Sequence, residues 1–148
     1  MKYLLDTNIL LHYLRQSDLA KQIDKQSNPL DSTRHTPIIS VVTVGEVKAL
    51  AKINHWGQNR LDKFNNLCQE LIIADINTED VIERYAEIDA FSQGNLIDRP
   101  LSISARNMGK NDLWIAATAS VLNATLLTTD LDFTHLNQTF LKLESIKI

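Results

Sequence analysis

The sequence predicts a three-layer α/β fold, with a mostly parallel sheet lying between helices, and two patterns point there. Short aliphatic and β-branched runs alternate along the chain with stretches whose apolar residues recur at helical spacing. The helical stretches between strands run to about ten residues or more, the length of a right-handed βαβ crossover rather than of a hairpin turn. The length of 148 residues fits one domain spanning 1–148 and leaves little for a second core.

From the N-terminus, Lys2 to Leu5 is an apolar run ending at Asp6 and reads as a strand. Asn8 to Arg15 follows as a helix, with apolar residues at 9, 10, 13 and 14. The polar stretch Gln16 to Asp31 holds a second helix and a loop around Asn28-Pro29, and Pro37 to Val42 reads as a β-branched strand. Thr43 then opens a helix. Asn59 to Leu71 is amphipathic through Leu61, Phe64, Leu67 and Leu71, Ile72 to Ile76 is a strand, and Thr78-Glu-Asp begins a helix with a capping residue and first-turn acids. Residues 92–109, with Gly94, Pro100 and Gly109, form the longest loop, after which Asn111 caps a helix over Asp112 to Leu122. Ala124 to Thr128 is the next strand, a helical turn starts at Leu131, and Leu141 to Ile148 alternates as a last strand.

Composition narrows the function classes. With 44% apolar and 22% charged residues, the chain is neither low-complexity nor disordered. Its single cysteine, Cys68, forms no internal disulfide and no cysteine zinc cluster. No apolar stretch approaches the roughly 20 residues of a membrane span, and the opening MKYLL runs into Asp6 without a secretory apolar region. The expectation is a cytoplasmic protein with no membrane partner. Fifteen Lys+Arg against 18 Asp+Glu give a net charge of -3, so any polyanion is gripped by a local basic patch.

Asp6 directly follows the first strand, Glu46 lies in the first turn of the helix after the second, Asp112 opens a late helix, and Asp130 follows the strand ending at Thr128. Each has a local explanation. Asp6 is an N-cap, Glu46 closes a capping box with Thr43, Asp112 complements a helix dipole, and Asp130 or Asp132 caps a turn. Jointly they ask for more. In such a sheet the strand ends at 5 and 128 share one edge, and repulsion among acids gathered there exceeds a capping gain of about 1 kcal/mol each.

A cation between the acids resolves the repulsion. Only hard oxygen donors converge, and none of His12, His35, His55 or His135 stands at ligand spacing to another His or to Cys68, so the ion is Mg²⁺ or Mn²⁺ rather than Zn²⁺. A carboxylate-held divalent ion activates water and neutralises charge developing on a phosphodiester, which indicates hydrolytic phosphoryl transfer.

Four segments, Leu4-Leu-Asp-Thr-Asn-Ile-Leu10, Val44-Gly-Glu-Val47, Asn111-Asp-Leu-Trp-Ile-Ala-Ala117 and Leu127-Thr-Thr-Asp-Leu-Asp-Phe133, resemble the acidic motifs of PIN-domain ribonucleases. In order, spacing and overall length the chain resembles VapC-type toxins of bacterial toxin–antitoxin pairs. The resemblance implies a parallel five-stranded sheet between helices and a metal-binding quartet at Asp6, Glu46, Asp112 and Asp130. It further implies support from Asn8 beside the first acid, from Thr129 just before the fourth, and from Asp132 as an additional acid. It also implies a homodimer that cuts structured RNA such as transfer RNA and is silenced by a cognate antitoxin protein.

Arg99, Arg106 and Lys110 precede Asp112 without an intervening acid and form a candidate phosphate-gripping patch. Lys48 and Lys52 share a face of the helix bearing Glu46, where solvation is the simpler role. Trp114, Ile115 and Phe133 read as core. Tyr13, Leu14, Leu61, Phe64 and Leu67 divide between the core and a dimer or antitoxin surface. The leading reading is a Mg²⁺- or Mn²⁺-dependent endoribonuclease. Its competitors are a PIN-type module that binds RNA or antitoxin without cutting, a housekeeping RNA-processing nuclease, and an aspartyl phosphatase. Asn8 argues against the last, since such enzymes place a second acid there.

Overall fold

The computed structural model describes Met1–Ile148. Five strands, β1 (Lys2–Leu5), β2 (Thr36–Ser40), β3 (Ile72–Ala74), β4 (Thr125–Thr128) and β5 (Lys142–Ser145), form one sheet in the order β3-β2-β1-β4-β5. Every pairing is parallel. Between the strands run α1 (Thr7–Arg15), α2 (Asp18–Gln26), α3 (Val41–Ile53), α4 (Gln58–Gln69), α5 (Glu79–Ser92) and α6 (Lys110–Val121), with a 3₁₀ helix at Leu131–Leu136. The expected fold class, α/β with a parallel five-stranded sheet, is the one observed.

Alternation along the inner strands divides the core into two halves. Leu4, Ile38 and Leu126 face α5 and α6, packing with Ile88, Phe91, Ile115 and Phe133. Tyr3, Leu5, Ile39 and Leu127 face the other way, onto Ile9 and Leu10 of α1, Ile23 of α2, Val47 of α3 and Phe64 of α4. The three inner strands are covered on both sides, which is why they read as unbroken apolar runs rather than alternating ones. Trp114 is half-buried against Tyr85, and Ile115 and Phe133 are buried as expected. Phe64 belongs to the core, whereas Tyr13, Leu14, Leu61 and Leu67 are only partly covered.

Several boundaries depart from expectation. The strand expected over Pro37 to Val42 stops at Ser40, whose hydroxyl accepts the Val42 N–H as the N-cap of α3. Three valines and a threonine thus open a helix against their strand preference, because packing and the serine cap outweigh propensity. Thr43 is therefore a buried helical residue and not a cap, and Glu46 falls in the second turn, so there is no Thr43–Glu46 capping box. Asn111 does not cap α6 either. Gly109 occupies that position, while Asp112 keeps its place in the first turn. Ala124 lies outside β4, because Asn123 closes α6 with φ 53° and the Ala124 N–H returns to the Ala119 carbonyl. β3 ends at Ala74, two residues early, as Asp75 turns to accept the Asn77 N–H.

Candidate metal centre

The chain builds β1, β2 and β3 to one side of the sheet and then returns to place β4 against the other edge of β1. The strand order reverses between β1 and β4, and the crevice beyond the carboxyl ends of such a pair is where open α/β sheets hold ligands. Asp6 follows β1 and Asp130 follows β4. The Asp6 N–H donates to the Leu127 carbonyl at 3.0 Å, which ties the two strand ends together.

Asp6 is 4% exposed and both its carboxylate oxygens are engaged. Oδ1 accepts the Thr7 N–H at 2.8 Å, capping α1, and Oδ2 accepts the Thr128 hydroxyl at 2.7 Å. Thr128 Oγ1 in turn accepts the Asp130 N–H at 2.9 Å, so one buried hydroxyl links the two acids. Burial pushes the Asp6 carboxyl up, the bonds from Thr128 and Thr7 hold it down, and the charges of Asp130 and Glu46 raise it again.

Glu46 reaches this crevice from α3 through Thr7, whose hydroxyl donates to Glu46 Oε1 at 2.7 Å. Since a carboxylate only accepts, the 3.0 Å contact between the Thr7 and Thr43 hydroxyls runs from Thr43 to Thr7. Thr43 and Glu46 stand three apart on one face of α3, which places both against the start of α1.

Carboxylate oxygens of Asp112, Asp130 and Asp132 all lie within 4.8 Å of one another. Asp130 accepts the Asp132 N–H at 2.9 Å and so caps the 3₁₀ helix, directing Asp132 back to the same place. Phe133, fully buried behind them, anchors that helix. The Asp112 carboxyl is pushed up to about 6, first by burial and then by the charges of Asp6, Asp130, Asp132 and Glu46. A group of oxygen donors whose charges raise one another's affinity for protons is chemically suited to a hard divalent cation.

All four acids read from the sequence thus gather at one sheet edge, joined by Asp132. Of the supporting residues read from the sequence, Asp132 stands among the acids, while neither Asn8 nor Thr129 hydrogen-bonds them through its side chain. Asn8 is exposed, and Asp6 takes its bonds from Thr7 and Thr128 instead. Thr128, not Thr129, is the hydroxyl that joins the first and fourth acids. Thr7 and Thr128 carry no signal of this role in the sequence, and Thr43 reads there only as a helix cap. The signal for Thr43 was its spacing from Glu46, whereas the pair Thr128-Thr129 leaves the choice to strand register. Of the basic trio, Arg106 donates to the Asp132 carbonyl at 3.4 Å and Lys110 sits exposed at the start of α6. Arg99 is held elsewhere, over the Phe140 ring at 4.6 Å and donating to the Thr139 carbonyl.

A parallel sheet with a cluster of acids at its switch point defines the class, an α/β domain whose crevice gathers oxygen donors that could hold a cation. The chain belongs to the PIN domain family, whose model matches residues 3–138. No curated protein sequence matches it. Among solved structures, its fold is similar to that of VapBC2 from Rickettsia felis bound to a promoter DNA fragment, with 24% identity, 98% of each chain covered and a TM-score of 0.74. VapBC-1 from nontypeable Haemophilus influenzae is similar at 23% identity, 98% of each chain and a TM-score of 0.71. A toxin–antitoxin complex from Klebsiella pneumoniae is similar at 22% identity, 99% of each chain and a TM-score of 0.69.

Proposed function

We propose that this protein is a divalent-metal-dependent endoribonuclease, the VapC-type toxin of a toxin–antitoxin pair, acting in the cytoplasm on structured RNA such as transfer RNA. The observation that carries the reading is the convergence of acids in one crevice: carboxylate oxygens of Asp112, Asp130 and Asp132 lie within 4.8 Å of one another, and Thr128 and Thr7 hold Asp6 and Glu46 beside them. Burial first and then these like charges push the Asp112 carboxyl up to about 6, a crowding that a bound cation would relieve. Asp6, Glu46, Asp112 and Asp130 would hold Mg²⁺ or Mn²⁺, with Asp132 beside them. When bound, such an ion lowers the pKa of a water and neutralises charge on the phosphate oxygens.

The residues of the chain supply orientation. Thr128 and Thr7 fix both oxygens of Asp6, Thr7 and Thr43 aim Glu46, and Asp130 orders Asp132. Arg106 and Lys110 are set to receive phosphates flanking the cut bond. The antitoxin would dock in the hollow of about 610 Å³ between α1, α2 and α4, where Tyr13, Leu14, Leu30 and Leu67 offer apolar surface. A homodimer is supported by Ile72 and Ile73 of the edge strand β3, which are 55% and 46% exposed. No helix is long and apolar enough to cross a membrane.

The test is cleavage of total cellular RNA by purified protein with Mg²⁺ or Mn²⁺, with EDTA, and by the Asp112→Asn variant. Discrete fragments that need the cation and are absent with the variant support the reading. Equal cleavage by parent and variant refutes the site, and no cleavage by folded, antitoxin-free protein favours a binding module.

A further inference from the structure

The helices that bring Asp6 and Glu46 to the crevice end together at a second concave surface. One hollow, about 700 Å³, is framed by Leu11, Leu14 and Arg15 at the end of α1, the turn from Asn54 to Gly57, and Arg60 and Lys63 of α4. A second, about 580 Å³, opens on the other side of the same turn against Lys48 and Lys52 of α3. Trp56 and His55 line both. His55 holds the turn with φ 52°, and Arg60 lies over the Trp56 ring at 5.2 Å.

The charge of this surface is one-sided. Five cations, Arg15, Lys48, Lys52, Arg60 and Lys63, surround the indole, and no carboxylate lines either hollow. The ion pairs of the molecule are elsewhere, at Lys21–Asp18, Arg34–Asp31 and Arg84–Glu87. The acid closest in sequence, Asp62, is occupied by the Gln58 amide at 2.8 Å. In a chain of net charge -3, five unpaired cations around a half-buried aromatic make a local field suited to a polyanion.

We propose that this Trp56 cleft is a second nucleic-acid contact, seating single-stranded RNA that flanks the segment held across the acids, an inference that rests on the nuclease reading above. The acidic crevice itself repels phosphates, so affinity for a long RNA must come from cations set away from it. Distance supports the same strand reaching both. The nine residues of α1 span about 14 Å at ~1.5 Å each, a separation that a single strand of a few nucleotides covers. Arg60 stacked on Trp56 forms a flat cationic shelf for a base, while the lysines on either side meet phosphates without reading sequence.

The experiment uses full-length parent and the double variants Arg60→Glu/Lys63→Glu and Lys48→Glu/Lys52→Glu, with Trp56→Phe as a packing control. Circular dichroism melts establish that each is folded; the charged positions are exposed. Fluorescence anisotropy in EDTA reads binding to labelled random-sequence RNAs of 4 and 20 nucleotides across a salt series, and cleavage of the 20-mer is followed with Mn²⁺. The expected result is a 10-fold or greater loss of 20-mer affinity in each double variant. The slope of log affinity against log salt falls by about 1.4, two phosphate contacts at ~0.7 each. The 4-mer, too short to make the full set of contacts, binds parent at least 10-fold more weakly than the 20-mer. Cleavage with unchanged 20-mer affinity and salt slope overturns the cleft while leaving the nuclease reading in place. A parent that neither binds nor cleaves RNA overturns both. Reversal variants that keep RNA affinity but lose an acidic protein partner assign the surface to that partner and also overturn the proposal.

Discussion

Replacing Asp112 with Asn should make the metal-free protein more stable and the metal-loaded protein less so. The carboxyl rises from its ordinary 3.8 to about 6 in the fold, which corresponds to about 3 kcal/mol against the folded state once the group is ionised. Asp112 is partly open to water, so screening removes about half of that. Losing a first-turn acid against the α6 dipole takes away about 0.5 kcal/mol more. About 1 kcal/mol remains, a rise in Tm of about 2–4 °C for a chain of this size. The sign with pH follows from the raised value. The folded protein holds this proton more tightly than the unfolded chain, so the contribution is favourable near pH 4 and is lost as pH climbs through about 6. The assay is thermal unfolding of parent and variant in EDTA from pH 4.5 to 7.5, repeated with Mn²⁺. The two melts should be close at low pH and separate above pH 6, with the variant higher. Adding Mn²⁺ should reverse their order, since a ligand at one hundred times its Kd adds about 2.7 kcal/mol to the state that binds it. A variant no more stable than parent at pH 7.5 in EDTA, or one that gains as much from Mn²⁺, would refute the crowding of charge at this site.

Three further outcomes are expected. Thr128→Val keeps the shape of the side chain but leaves a buried Asp6 oxygen and the Asp130 N–H unpaired, costing about 2–3 kcal/mol by urea unfolding in EDTA; a loss below 0.5 kcal/mol, about the size of a neutral surface change, would deny the linking role. Ser40→Ala removes the cap of α3 and should cost about 1 kcal/mol, whereas no change in urea midpoint would mean that the helix start is held by packing alone. Phe133→Ala empties a fully buried site behind the acidic turn and should cost about 3–5 kcal/mol. The same variant should also raise the Mn²⁺ concentration needed for half-maximal stabilisation, and an unchanged titration would separate Phe133 from the placement of Asp130 and Asp132.

The acids were legible in the sequence because each sits where strand becomes helix, and strand ends are the positions that a parallel topology brings together. What stayed hidden was decided by register and by hydroxyls. The sequence places the start of α3 at Thr43, and the cap that forms instead at Ser40 moves Glu46 by almost a full turn. The register of β2 on β1 sets the choice: with Ile38 level with Leu4, Ser40 stands one residue past the level of Leu5, and α3 starts there to meet α1 at Thr7. The same logic separates Thr128 from Thr129, neighbours of one chemical type whose side chains the strand sends to opposite sides.

Arg99 shows the complementary limit. Its charge and its place before Asp112 in sequence suggest a phosphate contact, yet a loop of such length lets it settle on the Phe140 ring and the Thr139 carbonyl. Lys48 and Lys52, by contrast, are rigid on a helix and read as ordinary solvated charges until α4 and the turn at Trp56 fold against them. A basic residue gains meaning from what lies opposite it, and only tertiary structure supplies that. Backbone rigidity also decides which of these cations can act together. Arg106 and Lys110 are set by the 3₁₀ helix and by α6, so they approach phosphates from the acid side, while the five cations around Trp56 approach from the far ends of α1 and α3. A strand bridging the two would be bound at both ends and cut between them.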